Sequence, residues 1–138
     1  MLKKDLLVRQ MEEFGKVLAL LLSYKRNQEW EKFEKELAEA LKSFTSLDLD
    51  SLEKMDPSSF EEKVVHSPAL SLVQKKIVAG LLFERLEQVE KEKEKWEGLL
   101  KKCLVIYQFL ADDLTENEFN LDIHYKLKLL KVMKEAGS

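Results

Sequence analysis

The sequence predicts an all-α fold of five to seven helices, arranged as antiparallel helical hairpins. Three observations carry this expectation. Only four Gly and two Pro occur in 138 residues, so few positions break a helix. Large apolar residues recur at three- and four-residue steps along most of the chain, which is the period of an amphipathic helix. The link between the first two such stripes is short, which implies helices that fold back on each other.

Composition sets the broad class. The hydrophobic fraction is 45% and the charged fraction 36%, with the excess in Glu and Lys. A single domain of this size buries roughly two thirds of the surface its unfolded chain exposes, enough for a core of its own. The formal charge of −3 lacks the basic surplus by which phosphate-neutralising proteins gain affinity, so no nucleic-acid partner is expected. Cys103 is the only cysteine, which rules out an intramolecular disulfide and fits a reducing compartment. Lys3 and Lys4 are followed at once by Asp5, and the apolar run Val17–Leu22 is too short to span a bilayer. No signal peptide, no membrane segment and a cytoplasmic location are expected.

The elements follow in order. A first helix is predicted from about Lys3 to Lys25, with Leu7, Met11, Phe14, Val17, Leu18 and Leu21 on one stripe. Leu6, Leu20 and Tyr24 widen that stripe, predicting a helix packed on more than one side. Asn27 is placed to cap a second helix, whose stripe is Trp30, Phe33, Leu37, Ala40, Leu41 and Phe44. These two make a hairpin over 3–45. A connector over 46–67 is less regular. Asp56-Pro57 gives it an N-cap followed by Pro at the first helical position, and Ser67-Pro68 repeats the signal.

A second hairpin is predicted over 68–113. Leu70, Val73, Ile77, Leu81, Leu82, Leu86 and Val89 carry its first helix; Trp96, Leu99, Leu100, Cys103, Ile106, Tyr107 and Leu110 carry its second. The charged stretch LEQVEKEKEKWE between them contains no Gly or Pro. One unbroken helix from Pro68 to Asp113 would be roughly 65–70 Å long, whereas a globule of this size has a radius of gyration of about 14 Å. A turn near Lys91–Glu94 is therefore favoured over the long helix. Thr115 and Glu118 have capping-box spacing, ahead of a C-terminal capping helix over 116–136 with Phe119, Ile123, Leu127, Leu130 and Met133 inward.

Two stretches read as one unit written twice. EWEKFEKELAEALKSF and KWEGLLKKCLVIYQFL superpose Trp30 on Trp96, Phe33 on Leu99, Leu37 on Cys103, Ala40 on Ile106, Leu41 on Tyr107 and Phe44 on Leu110. Their offset is close to twice the tetratricopeptide period of about 34 residues. The first hairpin resembles that repeat, whose key positions run W-x2-L-G-x2-Y-x8-A-x3-F-x2-A-x4-P. They fall on Val17, Leu20, Leu21, Tyr24, Phe33, Leu37, Ala40 and Thr45, with Leu20, Tyr24 and Ala40 matching in type. Phe33 stands where a small residue is usual, Leu21 where Gly is, and the final Pro is missing. In the second hairpin Glu90 falls opposite Tyr24. An irregular helical bundle remains the alternative, since any antiparallel amphipathic pair generates such spacing.

A second resemblance lies at the start. KKDLLVRQMEEFGKVLALLL is similar to the opening of an uncharacterised family of short bacterial all-helical proteins with a tetratricopeptide-like body, through Asp5, Arg9, Met11 and Glu12. LDLDSL (Leu47–Leu52) suits the same setting. This resemblance implies a fold and no activity.

Candidates for chemistry are few. Cys103 sits on an apolar stripe, where a thiol is structural rather than nucleophilic. His66 and His124 have no Cys or His at ligand spacing, so no metal or cofactor is expected. Asp48, Asp50, Glu53 and Asp56 lack the glycine turn and closing Glu of a calcium loop and read as caps and solvated charge; Asp112, Asp113, Glu116 and Glu118 read likewise. No glycine-rich phosphate loop or nucleophile elbow is present. Lys126, Lys128, Lys131 and Lys134 make the last helix basic on its wet side, which its dipole favours.

The expected protein is therefore not an enzyme but an interaction module binding a protein or peptide. Self-association into a homo-oligomer is the alternative. In peptide-binding tetratricopeptide modules the first helix lines the concave face. By position, the resemblance places Leu22, Lys25 and Arg26 there, as peptide-binding residues that could meet a carboxylate.

Overall fold

The computed structural model describes residues 2–113 and 121–137. Among them it contains seven α-helices and no strand: α1 (Leu2–Arg26), α2 (Trp30–Thr45), α3 (Leu49–Lys54), α4 (Pro57–Phe60), α5 (Leu72–Gln88), α6 (Lys93–Asp113) and α7 (Leu121–Gly137). A π-helical turn, Glu61–Val65, continues α4.

The helix ends explain the order of the chain. After α1, Gln28 adopts a left-handed φ of 55°. Its N–H donates to the Lys25 carbonyl at 3.1 Å and the Glu29 N–H to that of Tyr24 at 2.9 Å, a double bond pattern that closes a helix C-terminus. This reversal corrects the role expected of Asn27. It lies inside the closing turn, and Glu29 occupies the cap position of α2 without a side-chain cap bond. Ser46, with φ 64°, ends α2 in the same left-handed way.

The connector caps as the sequence suggests in one place and not in the other. Asp56 accepts from the Ser59 N–H at 2.7 Å, with Pro57 opening α4. Ser67-Pro68, however, starts no helix. The chain turns through 67–71, and α5 begins at Leu72 because Ser71 and Gln74 cap each other reciprocally. The proposed cap at Thr115 and Glu118, together with Phe119, lies outside the described residues. Between α5 and α6 the chain breaks at 89–92, where the Glu92 N–H donates to the Val89 carbonyl at 2.9 Å. Two helices stand where one long helix was the alternative.

α1 packs on α2 and α5, α2 on α5, α5 on α6, and α6 on α7 and the connector. One core joins these contacts through fully buried Leu21, Phe33, Leu37, Leu41, Phe60, Ile77, Leu81, Leu82 and Ile106. Each such side chain contributes about 1.5–3 kcal/mol by leaving water. Phe14 meets Phe44 edge-on at 6.0 Å. The Lys25 ammonium lies 6.0 Å from the Phe33 ring. Four of the six paired positions of the two Trp-led stretches are buried in both, Phe33 and Leu99, Leu37 and Cys103, Ala40 and Ile106, and Leu41 and Tyr107; Trp30 and Trp96 are both half-buried, and Phe44 is half-buried where Leu110 is buried.

The widened stripe of α1 is a correction. Leu6 is 58% exposed and Leu20 38%, whereas Tyr24 is half-buried against the core, so α1 meets α2 and α5 and leaves the Leu6 and Leu20 part of the stripe open. The sequence reading failed there because periodicity shows which residues share a face, not whether a second helix reaches it.

Candidate functional site

Three helices present one face each to a common groove. On α1 these are Met11, Phe14, Gly15 and Leu18, with Lys25 farther along. On α5 they are Lys76, Gly80, Phe83 and Glu87, at helical steps of four and three. On α7 they are Asp122, Ile123, Lys126 and Met133. α6 closes the floor with Tyr107 and Leu110 at one end and Trp96 at the other.

The groove contains two hollows. One, of about 160 Å³, lies between the first half of α1 and the start of α7. The other, of about 360 Å³, lies among Lys25, Phe83, Leu86, Glu87, Glu90, Trp96 and Met133. Lys126 stands between them, its ammonium 5.1 Å from the Phe83 ring centre and 3.3 Å from Asp122. Local sequence accounts for this shape. Gly80 has no side chain, so the buried Phe14 ring lies directly on α5; a Cβ there would stand 2.9 Å from Phe14 Cζ. A Cβ on Gly15 would meet nothing within 4 Å, which leaves the wall open at that point.

The three residues singled out from the sequence are placed as follows. Leu22 is exposed and is not among the residues that line either hollow. Lys25 is turned into the molecule, with its side chain 17% exposed. Its Nζ donates to Glu84 Oε1 at 2.7 Å and to Glu87 Oε1 at 3.3 Å. Burial works against the ammonium charge, but Glu84, and then Glu87, outweigh it and raise its pKa above the ordinary lysine value. Arg26 is exposed at the outer edge, without an ionic partner among the described residues.

A second ion cluster, on the opposite side of α5, was not anticipated. Arg85, only 6% exposed, donates from Nε to Glu53 Oε2 at 2.7 Å and from Nη2 to Glu53 Oε1 at 3.2 Å. Its Nη1 donates to Glu34 and, at 2.6 Å, to Gln88 Oε1. Lys102 Nζ donates to the Glu53 carbonyl at 3.0 Å. Burial is set against the guanidinium charge, yet Glu53 and Glu34 hold its pKa above the usual range. Burial pushes Lys102 below its ordinary value, partly offset by Glu53 and Asp56. This cluster ties α2, α3, α5 and α6 together. The sequence did contain a signal: Arg85 stands among Val78, Leu81, Leu82 and Val89, at a position where the stripe calls for an apolar residue.

The remaining candidates are placed without chemistry. Cys103 is buried, and burial drives its thiol pKa upward, away from the reactive thiolate. Asp48 and Asp56 are helix caps whose carboxylates are held below the usual range by the backbone N–H groups of Ser51 and Ser59. Asp50 pairs with Lys54 at 2.9 Å on the surface. His66 is exposed, 3.3 Å from Glu61 and edge-on to Phe109. Among the described residues no three His, Cys, Asp or Glu gather as a metal site, and no helix is long and apolar enough to cross a membrane. No family model, curated protein or solved structure matches the chain.

Proposed function

We propose that this chain is a non-catalytic interaction module of tetratricopeptide-like type, which holds a segment of a partner protein along α5, between α1 and α7. One observation carries the reading: two hollows are each lined by α1, α5, α6 and α7. In a tetratricopeptide array the first helix of every hairpin faces the concave side, and α1, α5 and α7 are the helices that would do so here.

Three features support the array. Phe14 meets Phe44 and Lys25 meets Phe33, so α1 and α2 run in opposite directions. The Glu34–Arg85 and Phe44–Gln74 contacts set α2 against α5 in the same opposed sense. The α2 and α6 stretches bury equivalent positions. The Asp5–Glu12 opening is consistent with the bacterial helical family it resembles, and a cytoplasmic setting fits the lone buried thiol.

The test is affinity capture from native cytoplasm with three baits. Gly15→Trp fills the groove wall, where there is room for a side chain. Gly98→Trp adds the same bulk on α6, where a Cβ also meets nothing within 4 Å, beside α3 and away from the groove. A specific partner is expected with wild type and Gly98→Trp and lost with Gly15→Trp. Retention by all three contradicts the groove.

A second reading, self-association, rests on the apolar side chains that α7 leaves exposed. Leu121, Tyr125 and Val132 are all more than half exposed, a run that solvent-facing helices seldom carry. Sedimentation equilibrium distinguishes the readings: a dimer that Tyr125→Glu/Val132→Glu converts to monomer would establish the second.

A further inference from the structure

Resting on the groove reading above, we infer that its Trp96 end receives a cationic side chain, Arg or Lys, flanked by apolar residues of the partner segment. This is opposite in charge to the carboxylate the sequence suggested for Lys25.

The ionic arrangement argues for a cation. Among the described residues that line the hollow at Phe83, Lys25 is the only ammonium, and it is already held by two carboxylates; Lys126, against the Phe83 ring, stands 3.3 Å from Asp122. An incoming carboxylate would have to displace one of them and would face Glu87 and Glu90 at close range. A third hollow, of about 380 Å³, adjoins the one at Lys25, sharing Glu90, Trp96 and Met133 and adding Glu97 and Lys93. Across both, two ammoniums face four carboxylates once Glu84, the partner of Lys25, is included. Glu90 and Glu97 have no ionic partner among the described residues.

Ala136 and Gly137 of α7 line the adjoining hollow. Trp96 supplies the aromatic surface. A Cβ on Gly137 would stand 3.3 Å from its ring, so α7 braces the indole from one side. An ammonium or guanidinium on an indole gains by cation–π attraction, more so when partly desolvated. Phe83, Leu86 and Met133 offer the apolar floor for the flanking residues.

A phage-displayed library of random peptides, selected on the full chain, tests the charge. Affinities of selected peptides are then read from Trp96 fluorescence in a Trp30→Phe background, since the chain has two Trp. The selected sequences are expected to carry Arg or Lys beside an apolar residue. Replacing that residue by Gln, or making Glu90→Gln/Glu97→Gln, is expected to weaken binding about tenfold or more. Acidic or neutral peptides that Gly15→Trp blocks but the Glu variants do not affect would overturn the charge assignment and leave the groove standing. Peptides indifferent to Gly15→Trp, or an empty selection, would overturn both. Enrichment of sequences from this chain itself would identify a second copy as the occupant and also overturn the inference.

Discussion

Lys25 and Arg85 each pin α5 to its neighbours through two glutamates, yet they sit in different surroundings. Arg85 is sealed between α2, α3 and α6, with its charge met by a bidentate Glu53 and by Glu34. Lys25 stands at the mouth of a hollow, its side chain 17% exposed against 6% for Arg85 and its nearer partner Glu84 19% against 10% for Glu53, while each cation also has one outer partner, Glu87 or Glu34, that is more than half exposed. The same chemistry therefore does two jobs. Where water is excluded, removing one partner strands a charge in a poor dielectric, and the pair becomes structural. Where water reaches the pair, its contribution to stability is small and its field is available to a ligand.

The sharpest way to break this comparison is to delete each cation in turn. Arg85→Ala should cost about 3–5 kcal/mol, because the buried Glu53 loses its bidentate partner and keeps only the longer pairing to Lys95 at 3.7 Å. Urea unfolding measures it, and Arg85→Met/Glu53→Met should recover much of the loss. Lys25→Ala should cost about 1 kcal/mol or less by the same assay, since solvent can take over part of the pairing.

The groove wall can be sharpened with glycines. Gly15→Ala and Gly98→Ala should each raise stability by about 0.5–1 kcal/mol, since a methyl at either position enters open space and stiffens the unfolded helix segment. Gly80→Ala should not share that gain, because the Phe14 ring has to move off α5. Thermal melts of the three variants report the difference.

The smallest expected effect is one of sign. The folded-state pKa of Lys25 lies above the ordinary lysine value, about 10.4. Its extra stability is complete below that value and is lost as pH rises through the folded pKa. Lys102 is pushed below it, so the unfolded chain holds a proton the folded chain sheds. Stability at that site rises with pH between the depressed and the ordinary values. As pH rises past the ordinary lysine value of about 10.4, wild type should lose ground against Lys25→Met, and as pH rises toward that value from below it should gain against Lys102→Met.

Much of the helical framework was legible in the sequence because it depends on near neighbours. The stripe Trp30–Phe44, the Asp56-Pro57 cap and the existence of a break between Leu86 and Trp96 follow from spacing, turn chemistry and the size of a compact domain, although the break falls at 89–92 rather than at Lys91–Glu94. The errors arose where a local signal had competition. Ser67-Pro68 yields to Ser71 and Gln74, which satisfy two backbone donors at once. Leu6 and Leu20 share the pattern of α1 but find no helix above them. The site was less legible still. Resemblance places Leu22, Lys25 and Arg26, yet Glu84, Glu87 and Glu90, which decide the charge around Lys25, lie far along the chain. Periodicity places a residue on a face; it does not name the residue opposite.

The central claim is that the α1–α5–α7 groove is the face that meets a partner. Site-specific photo-crosslinking in the native cytoplasm tests it directly, with a benzoylphenylalanine placed at Gly15 in one variant and at Gly98 in another. The account predicts a discrete adduct to another protein from position 15 and none from position 98. Equal labelling from both positions, or an adduct from position 98 alone, would contradict it.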